Sequence, residues 1–217
     1  MIEVVIFDLD GVIVDSEHVW NEARESLARE RGGRWHADAQ RDMMGMSSRE
    51  WSRYMHRVIG LEEPPEEISA EVVRRLEAIY RKELPLIDGA VTAVRRLADR
   101  WPLGLASSSN RELIDLVLGL TGLTACFKAT VSSEEVARGK PAPDVYLEAA
   151  RRLDADPVAC TAIEDSENGI LSAKAAGMRV IAIPNPRYPP PGGALAEADA
   201  VLPSIRGLTV DALRRAG

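Results

Sequence analysis

The chain has 217 residues, 46% of them hydrophobic, and a formal net charge of -7. That is enough apolar chain for a sizeable core, either one large domain or a domain carrying an insertion. The charge balance argues against a nucleic-acid partner, whose phosphates call for clustered Lys and Arg, and favours a small-molecule ligand. No apolar run approaches membrane-spanning length, and Glu3 and Asp8 interrupt the N-terminal MIEVVIFDLD, so the expectation is a soluble cytoplasmic protein without leader or anchor. Cys126 and Cys160 form no CxxC pattern and read as small buried residues of a reducing compartment.

The first predicted element is the apolar run Val4, Val5, Ile6, Phe7, a buried strand that ends in two aspartates. Strand periodicity projects Asp8 and Asp10 to the same side, facing each other. Two carboxylates ~6 Å apart at an effective dielectric of about 20 repel by roughly 3 kcal/mol, so something must offset them. Asp10-Gly11 as a turn signal explains Asp10 but not Asp8. A calcium loop is excluded because Val12, Val14 and Val19 stand where its later oxygen ligands belong.

Residues 16 to 84 show helical periods, such as Val19, Ala23, Leu27 and Val72, Leu76, Ile79, with no convincing strand. Gly32-Gly33, Gly45, Gly60 and Pro64-Pro65 punctuate them, and Pro85 marks the return. The predicted organisation is a helical cap over 16–84 inserted into a core of residues 1–15 and 85–217. Within the cap, Arg49, Arg53 and Arg57 fall at i, i+4 spacing, which fits a solvated basic stripe while Trp51, Tyr54 and Met55 pack inward; a substrate-reading face is the alternative, with Arg49 the residue placed to reach a ligand. His18, His36 and His56 have no metal-ligand spacing and read as packing or surface residues.

Beyond residue 100, short apolar runs at Leu103–Ala106, Ala129–Val131, Thr161–Ile163 and Val180–Ile183 alternate with helical stretches at 111–119, 143–153 and 166–176. This pattern predicts an α/β fold with a parallel sheet and crossover helices. Pro143 suits a first helical turn, Ser166 an N-cap, and Gly177 a helix end. The stretch NPRYPPPGG, Asn185 to Gly193, reads as a surface loop before AVLPSI and a final helix.

Ligands of open parallel sheets bind beyond the carboxyl ends of the strands. Asp8 and Asp10, Ser107 in LASSSN, Lys140 in RGKPAPD and Glu164-Asp165 in AIEDSENG all stand there. Four converging carboxylates need a cation, and an all-oxygen set suits magnesium. Each has a plainer reading alone: Ser107, Ser108 and Ser109 as turn or cap residues, Lys140 as a solvated loop lysine, Glu164 and Asp165 as helix-start acids, and Gly169 as a close-packing position.

Taken in order, DLDGV, ASS, GKPAPD and EDSENG resemble the four motifs of the haloacid dehalogenase-like hydrolases, over nearly the whole chain. The helical insertion resembles the cap of the branch containing β-phosphoglucomutase and phosphoglycolate phosphatase. The resemblance implies a Rossmann-like parallel sheet core with an inserted all-helical cap. It implies a magnesium-dependent phosphatase acting on a small phosphorylated metabolite, of sugar phosphate or phosphoglycolate type, through an aspartyl phosphate. Asp8 would be the nucleophile and Asp10 the proton carrier. Asp8, the carbonyl of Asp10 and Asp165 would hold Mg2+, with Glu164 binding directly or through water. Ser107 and Lys140 would hold the phosphoryl group, with Ser108, Asn110 and Arg49 completing the substrate set.

Mutases of that branch also carry a His in the first cap helix and a Lys in a later cap segment. Trp20 occupies the His position here, His18 is displaced by two residues, and Arg74 or Arg75 stands near the Lys position. A phosphosugar mutase is therefore the rival reading; a phospho-accepting regulatory module, an idle sugar-phosphate binder and a dehalogenase rank lower. The expected assembly is a monomer or weak homodimer, without a membrane or nucleic-acid partner.

Overall fold

The computed structural model of the chain describes residues 2–190 and 192–215. A six-stranded, all-parallel sheet carries the fold: β1 Val4–Phe7, β2 Leu103–Ser107, β3 Phe127–Ser132, β4 Cys160–Glu164, β5 Arg179–Ala182 and β6 Ala200–Val201, in the order β3-β2-β1-β4-β5-β6. β1 is central, with Val5 opposite Leu103 of β2 and Phe7 opposite Ile163 of β4. All four of its residues are buried, because a parallel strand covered on both faces has no solvent side. Strand alternation sends Val5 and Phe7 into one core and Val4 and Ile6 into the other.

The helices are α1 Glu17–Glu30, α2 Ala39–Met43, α3 Ser48–Tyr54, α4 Pro65–Lys82, α5 Ala90–Ala98, α6 Arg111–Thr121, α7 Asp144–Arg152, α8 Glu167–Ala175, α9 Gly192–Glu197 and α10 Val210–Arg215. The strands and crossover helices fall within two residues of their sequence-predicted bounds. Ser166 caps α8 by accepting from the Gly169 N–H, and Gly177 follows it at φ +81°.

The helices α1 to α4 lie between β1 and the rest of the sheet in sequence and form the cap. The two strands of chain that enter and leave it run side by side: Asp15 N–H donates to the Pro85 carbonyl at 2.8 Å, and Ile87 N–H to Ile13 at 3.0 Å. Val14 and Leu86 form an isolated antiparallel bridge there. The basic stripe is exposed at Arg49, Arg53 and Arg57, while Trp51 and Met55 are buried. Tyr54 is half-buried, and its hydroxyl donates to Asp42.

One prediction needs correction: the loop from Asn185 ends before Gly193, because α9 begins at Gly192. Ala, Leu and Glu in GGALAE are strong helix formers and Ala194 is buried, so helix propensity outweighs the two glycines. Pro191 of that loop lies outside the described residues.

Phe7 is fully buried and meets Phe127 edge to face, ring centroids 6.0 Å apart. Phe7→Ala is expected to cost about 3 to 5 kcal/mol through lost burial and the residual cavity. Urea unfolding should show a lower midpoint at unchanged slope; an unchanged midpoint would contradict this packing role.

Candidate active site

The end of β1 delivers Asp8 into a buried cluster. Its N–H continues the sheet by donating to the Ile163 carbonyl at 3.0 Å, which fixes its backbone beside β4. One carboxylate oxygen each from Asp8, Glu164 and Asp165 lies within 4.8 Å of the others. The Lys140 ammonium sits 3.1 Å from Asp8 Oδ1 and donates to Glu164 Oε1 at 2.6 Å. Asp8 Oδ1 is buried and has no aligned hydrogen-bond donor. Burial raises the Asp8 carboxyl to about 8, against the pull of Lys140. Burial likewise holds Asp165 well above the carboxylate range, with the Glu164 and Asp8 charges adding to it. Burial alone would push the Lys140 ammonium down, but Asp8 and Glu164 more than offset it and leave it raised.

Glu164 is fully buried and its two oxygens are heavily used. Oε1 accepts from Lys140 and from the Tyr146 hydroxyl at 2.7 Å; Oε2 accepts from the backbone N–H groups of Asp165 and Ser166 and from Ser166 Oγ. α8 can start this close only because residue 169 is glycine: a Cβ there would collide with the Glu164 carboxylate. Gly11, at φ +74°, is required twice, since the left-handed turn disfavours a side chain and a Cβ would strike the Asp165 carboxylate.

These residues fit a divalent cation. The donor set is all oxygen, three buried carboxylates each offer an oxygen to one point, and the absence of a side chain at Gly11 makes room for the Asp165 carboxylate.

Asp10 lines the same crevice as Asp8, the side that strand periodicity predicts, but its carboxylate is not part of the acidic cluster. β1 ends at Phe7, and Gly11 N–H closes a turn onto the Val14 carbonyl at 2.7 Å. The Asp10 carboxylate accepts from Ser16 Oγ at 2.5 Å and Trp20 Nε1 at 3.2 Å on one oxygen, and from Ser109 Oγ at 2.6 Å and Ser107 Oγ at 3.4 Å on the other. It therefore sits beside the acidic cluster without joining it.

A cavity of about 510 Å³ opens over this group. Asp8, Asp10, Lys140, Asp165, Ser108 and Ser109 line it from the sheet side, and Glu17, Trp20, Arg24 and Trp51 from the cap. Ser107 is fully buried below the lining, its Oγ accepting from the Ser109 N–H. Arg49 and Asn110 are not brought to this crevice. They line a second cavity, of about 450 Å³, where the Asn110 amide donates to Glu134 at 2.8 Å. Arg74 and Arg75 are engaged by Glu71, and Arg75 also by Glu30, away from both cavities. His36 contacts the Tyr54 hydroxyl and His56 the Leu61 carbonyl, as packing or surface residues would.

Sequence reasoning missed Glu17 and Arg24. The available signal was a charge on an apolar stripe: Arg24 lies four residues after Trp20 and on the same helix face as the buried Ala23 and Leu27. Burial raises the Glu17 carboxyl to about 7 despite Arg24, and lowers the Arg24 guanidinium to about 10 despite Glu17 and Asp10.

The raised carboxyls predict an unusual pH dependence. An acid whose folded pKa exceeds its unfolded value holds a proton in the folded state that the unfolded state has released, so stability falls as pH rises between the two values. For Asp8 that window runs from 3.8 to about 8, and for Glu17 from 4.5 to about 7. In EDTA, Tm should fall between pH 5 and 8, and added magnesium should restore it most at the upper end. A metal-free Tm that is flat or rises across that window would contradict the assignment.

A family model for haloacid dehalogenase-like hydrolases matches residues 2–177. The chain is 33% identical over 195 residues to hexitol phosphatase B of Escherichia coli strain K12, covering 83% of each protein. It is 31% identical over 209 residues to the bifunctional riboflavin kinase/FMN phosphatase of Arabidopsis thaliana, covering 95% of this chain but only 54% of that longer protein. The structure superposes on that of CbbY from Rhodobacter sphaeroides in complex with phosphate with a TM-score of 0.86 at 25% identity, covering 99% and 100% of the two chains. With a parallel sheet, a helical cap and a buried carboxylate cluster at the strand ends, the chain belongs to the haloacid dehalogenase-like hydrolases and is an enzyme.

Proposed function

We propose that this hydrolase is a magnesium-dependent phosphatase of small phosphorylated metabolites, of sugar phosphate or phosphoglycolate type, working through a phosphoenzyme on Asp8. The observation that carries the reading is the buried Asp8 carboxylate, held on a rigid strand end with its Oδ1 3.1 Å from the Lys140 ammonium. Asp8 attacks phosphorus in its ionised form, which the neighbouring Lys140 ammonium favours, and then holds the phosphoryl group until water removes it. Asp8, the Asp10 carbonyl and Asp165 would hold magnesium, which would supply positive charge against the repulsion between nucleophile and phosphate.

Asp10 protonates the departing ester oxygen and later takes a proton from the attacking water. Its partners suit both states, since the hydroxyls of Ser16 and Ser109 can donate to a carboxylate or rotate to accept from a carboxyl. Lys140 balances charge on the phosphoryl oxygens, with Ser107 and Ser108 at the end of β2 as its companions. Glu164 acts mainly by positioning Lys140, because its oxygens already accept five hydrogen bonds. The core comprises residues 1–15 and 85–217, the cap residues 16–84, with the paired segments at Asp15 and Pro85 as the junction.

Trp20 favours hydrolysis over the mutase alternative. Its indole N–H is only a donor and is spent on Asp10, so it cannot relay a proton as a histidine would.

The test is phosphate release from a panel of phosphate esters with magnesium. Asp8→Asn should abolish turnover, by about 10⁴-fold or more, and Asp10→Asn should lower it by about 10² to 10⁴. Full release of ester phosphate as inorganic phosphate supports the phosphatase; transfer between hydroxyls without release would establish the mutase. Undiminished turnover by Asp8→Asn would remove the mechanism.

A further inference from the structure

Arg24 is a buried cap residue with an unpartnered donor at Nε. Its side chain reaches the wall of the main cavity and is 4% exposed. The guanidinium carbon lies 4.5 Å from the Trp20 ring centroid and 4.8 Å from that of Trp51. The two indoles meet edge to face, 5.8 Å apart, and form a corner that fixes the plane of the guanidinium. Nε is buried without a partner, and among the described residues no hydrogen bond or ion pair engages the group.

A guanidinium offers five N–H donors, and burying them unpaired is costly. Its charge, in contrast, is answered: the carboxylates of Glu17 and Asp10 act on it electrostatically from beyond hydrogen-bonding range. What Arg24 lacks is acceptors, not negative charge. A second anion on the substrate would face Glu17 and Asp42 on the same cavity wall, while Arg41, which also lines it, is paired with Asp38 at 2.9 Å. A hydroxyl has the complementary polarity, because its oxygen accepts from Arg24 while its hydrogen is given to Glu17. The indole faces are suited to the C–H side of a carbon chain bearing such hydroxyls.

We propose that Arg24 and Glu17 are the specificity-determining pair of the cap and read vicinal hydroxyls on the part of the substrate remote from its phosphate. The favoured substrates are then monophosphates of neutral polyols rather than bisphosphates or phosphorylated acids. This rests on the phosphatase reading above. It adds a recognition role that the sheet-side residues do not supply.

The experiment compares three six-carbon monophosphates with magnesium: a hexitol 6-phosphate, hexyl phosphate and 6-phosphogluconate. The wild-type enzyme should show a kcat/KM for the hexitol ester at least about tenfold above the other two. Arg24→Met should lose at least about tenfold more on the hexitol ester than on hexyl phosphate, chiefly through KM. Equal losses on both esters would mean that Arg24 merely supports the cap, and would overturn the assignment. Preference of the wild type for hexyl phosphate or 6-phosphogluconate would overturn it without any variant, so a poorly folding Arg24→Met does not protect the proposal. Phosphate release from none of the esters would instead remove the phosphatase reading, and this inference with it.

Discussion

The buried pair between Lys140 and Glu164 is the contact on which the site depends. Taking two charges out of water is costly, and a buried pair survives only when its remaining donors and acceptors are satisfied. Glu164 meets that condition through Lys140, the Tyr146 hydroxyl, two backbone N–H groups and Ser166 Oγ. Lys140 then has its remaining capacity turned to Asp8, 3.1 Å away. Three carboxylates, Asp8, Glu164 and Asp165, stand against one ammonium, so the fully ionised group carries two net negative charges. That is the charge of one divalent cation. The repulsion implied by acids at the end of β1 is thus divided between a lysine the fold supplies and a metal it leaves room for.

The room is made by absent side chains as much as by those present. Gly169 lets the first turn of α8 approach Glu164 closely enough for backbone N–H groups to reach its carboxylate. Gly11 turns the chain from β1 toward the cap in a conformation that disfavours side chains, and leaves the Asp165 carboxylate unobstructed. Both follow from parallel topology: β1 and β4 are neighbours, so their carboxyl ends, and whatever follows them, converge on one crevice.

This topology explains why so much was legible in the sequence. Buried parallel strands read as continuous apolar runs, and the polar residues at or beyond their carboxyl ends, Asp8, Lys140 and Glu164-Asp165, have plainer readings one by one but share one explanation together. Fidelity fell where tertiary contacts decide. Strand periodicity brings Asp8 and Asp10 to one crevice but carries no information about where β1 stops; the turn at Gly11 gives the Asp10 carboxylate to Ser16, Trp20 and Ser109 rather than to the acidic cluster. Arg49 was selected for its spacing, yet its helix face opens on the second cavity. Arg24 went unremarked because a charge within an apolar stripe resembles an ordinary helix residue until the two indoles around it are known.

The first cap helix therefore joins two tasks that sequence reading keeps apart. Ser16, at its start, and Trp20, one turn on, hold the Asp10 carboxylate, while Trp20 also supports Arg24 at the cavity wall. Asp10 belongs to the sheet side, but half of its hydrogen-bond shell belongs to the cap. The placement of the Asp10 carboxylate and the indole support of Arg24 thus both require α1 in the position observed here. The closely paired chain segments at Asp15 and Pro85 hold the start of α1 and the end of α4 together beyond β1, so the cap is tethered where those contacts are made. On the roles proposed above, acid and base chemistry is assembled where the cap meets the strand ends, and one helix carries both the contacts to Asp10 and the corner that holds Arg24.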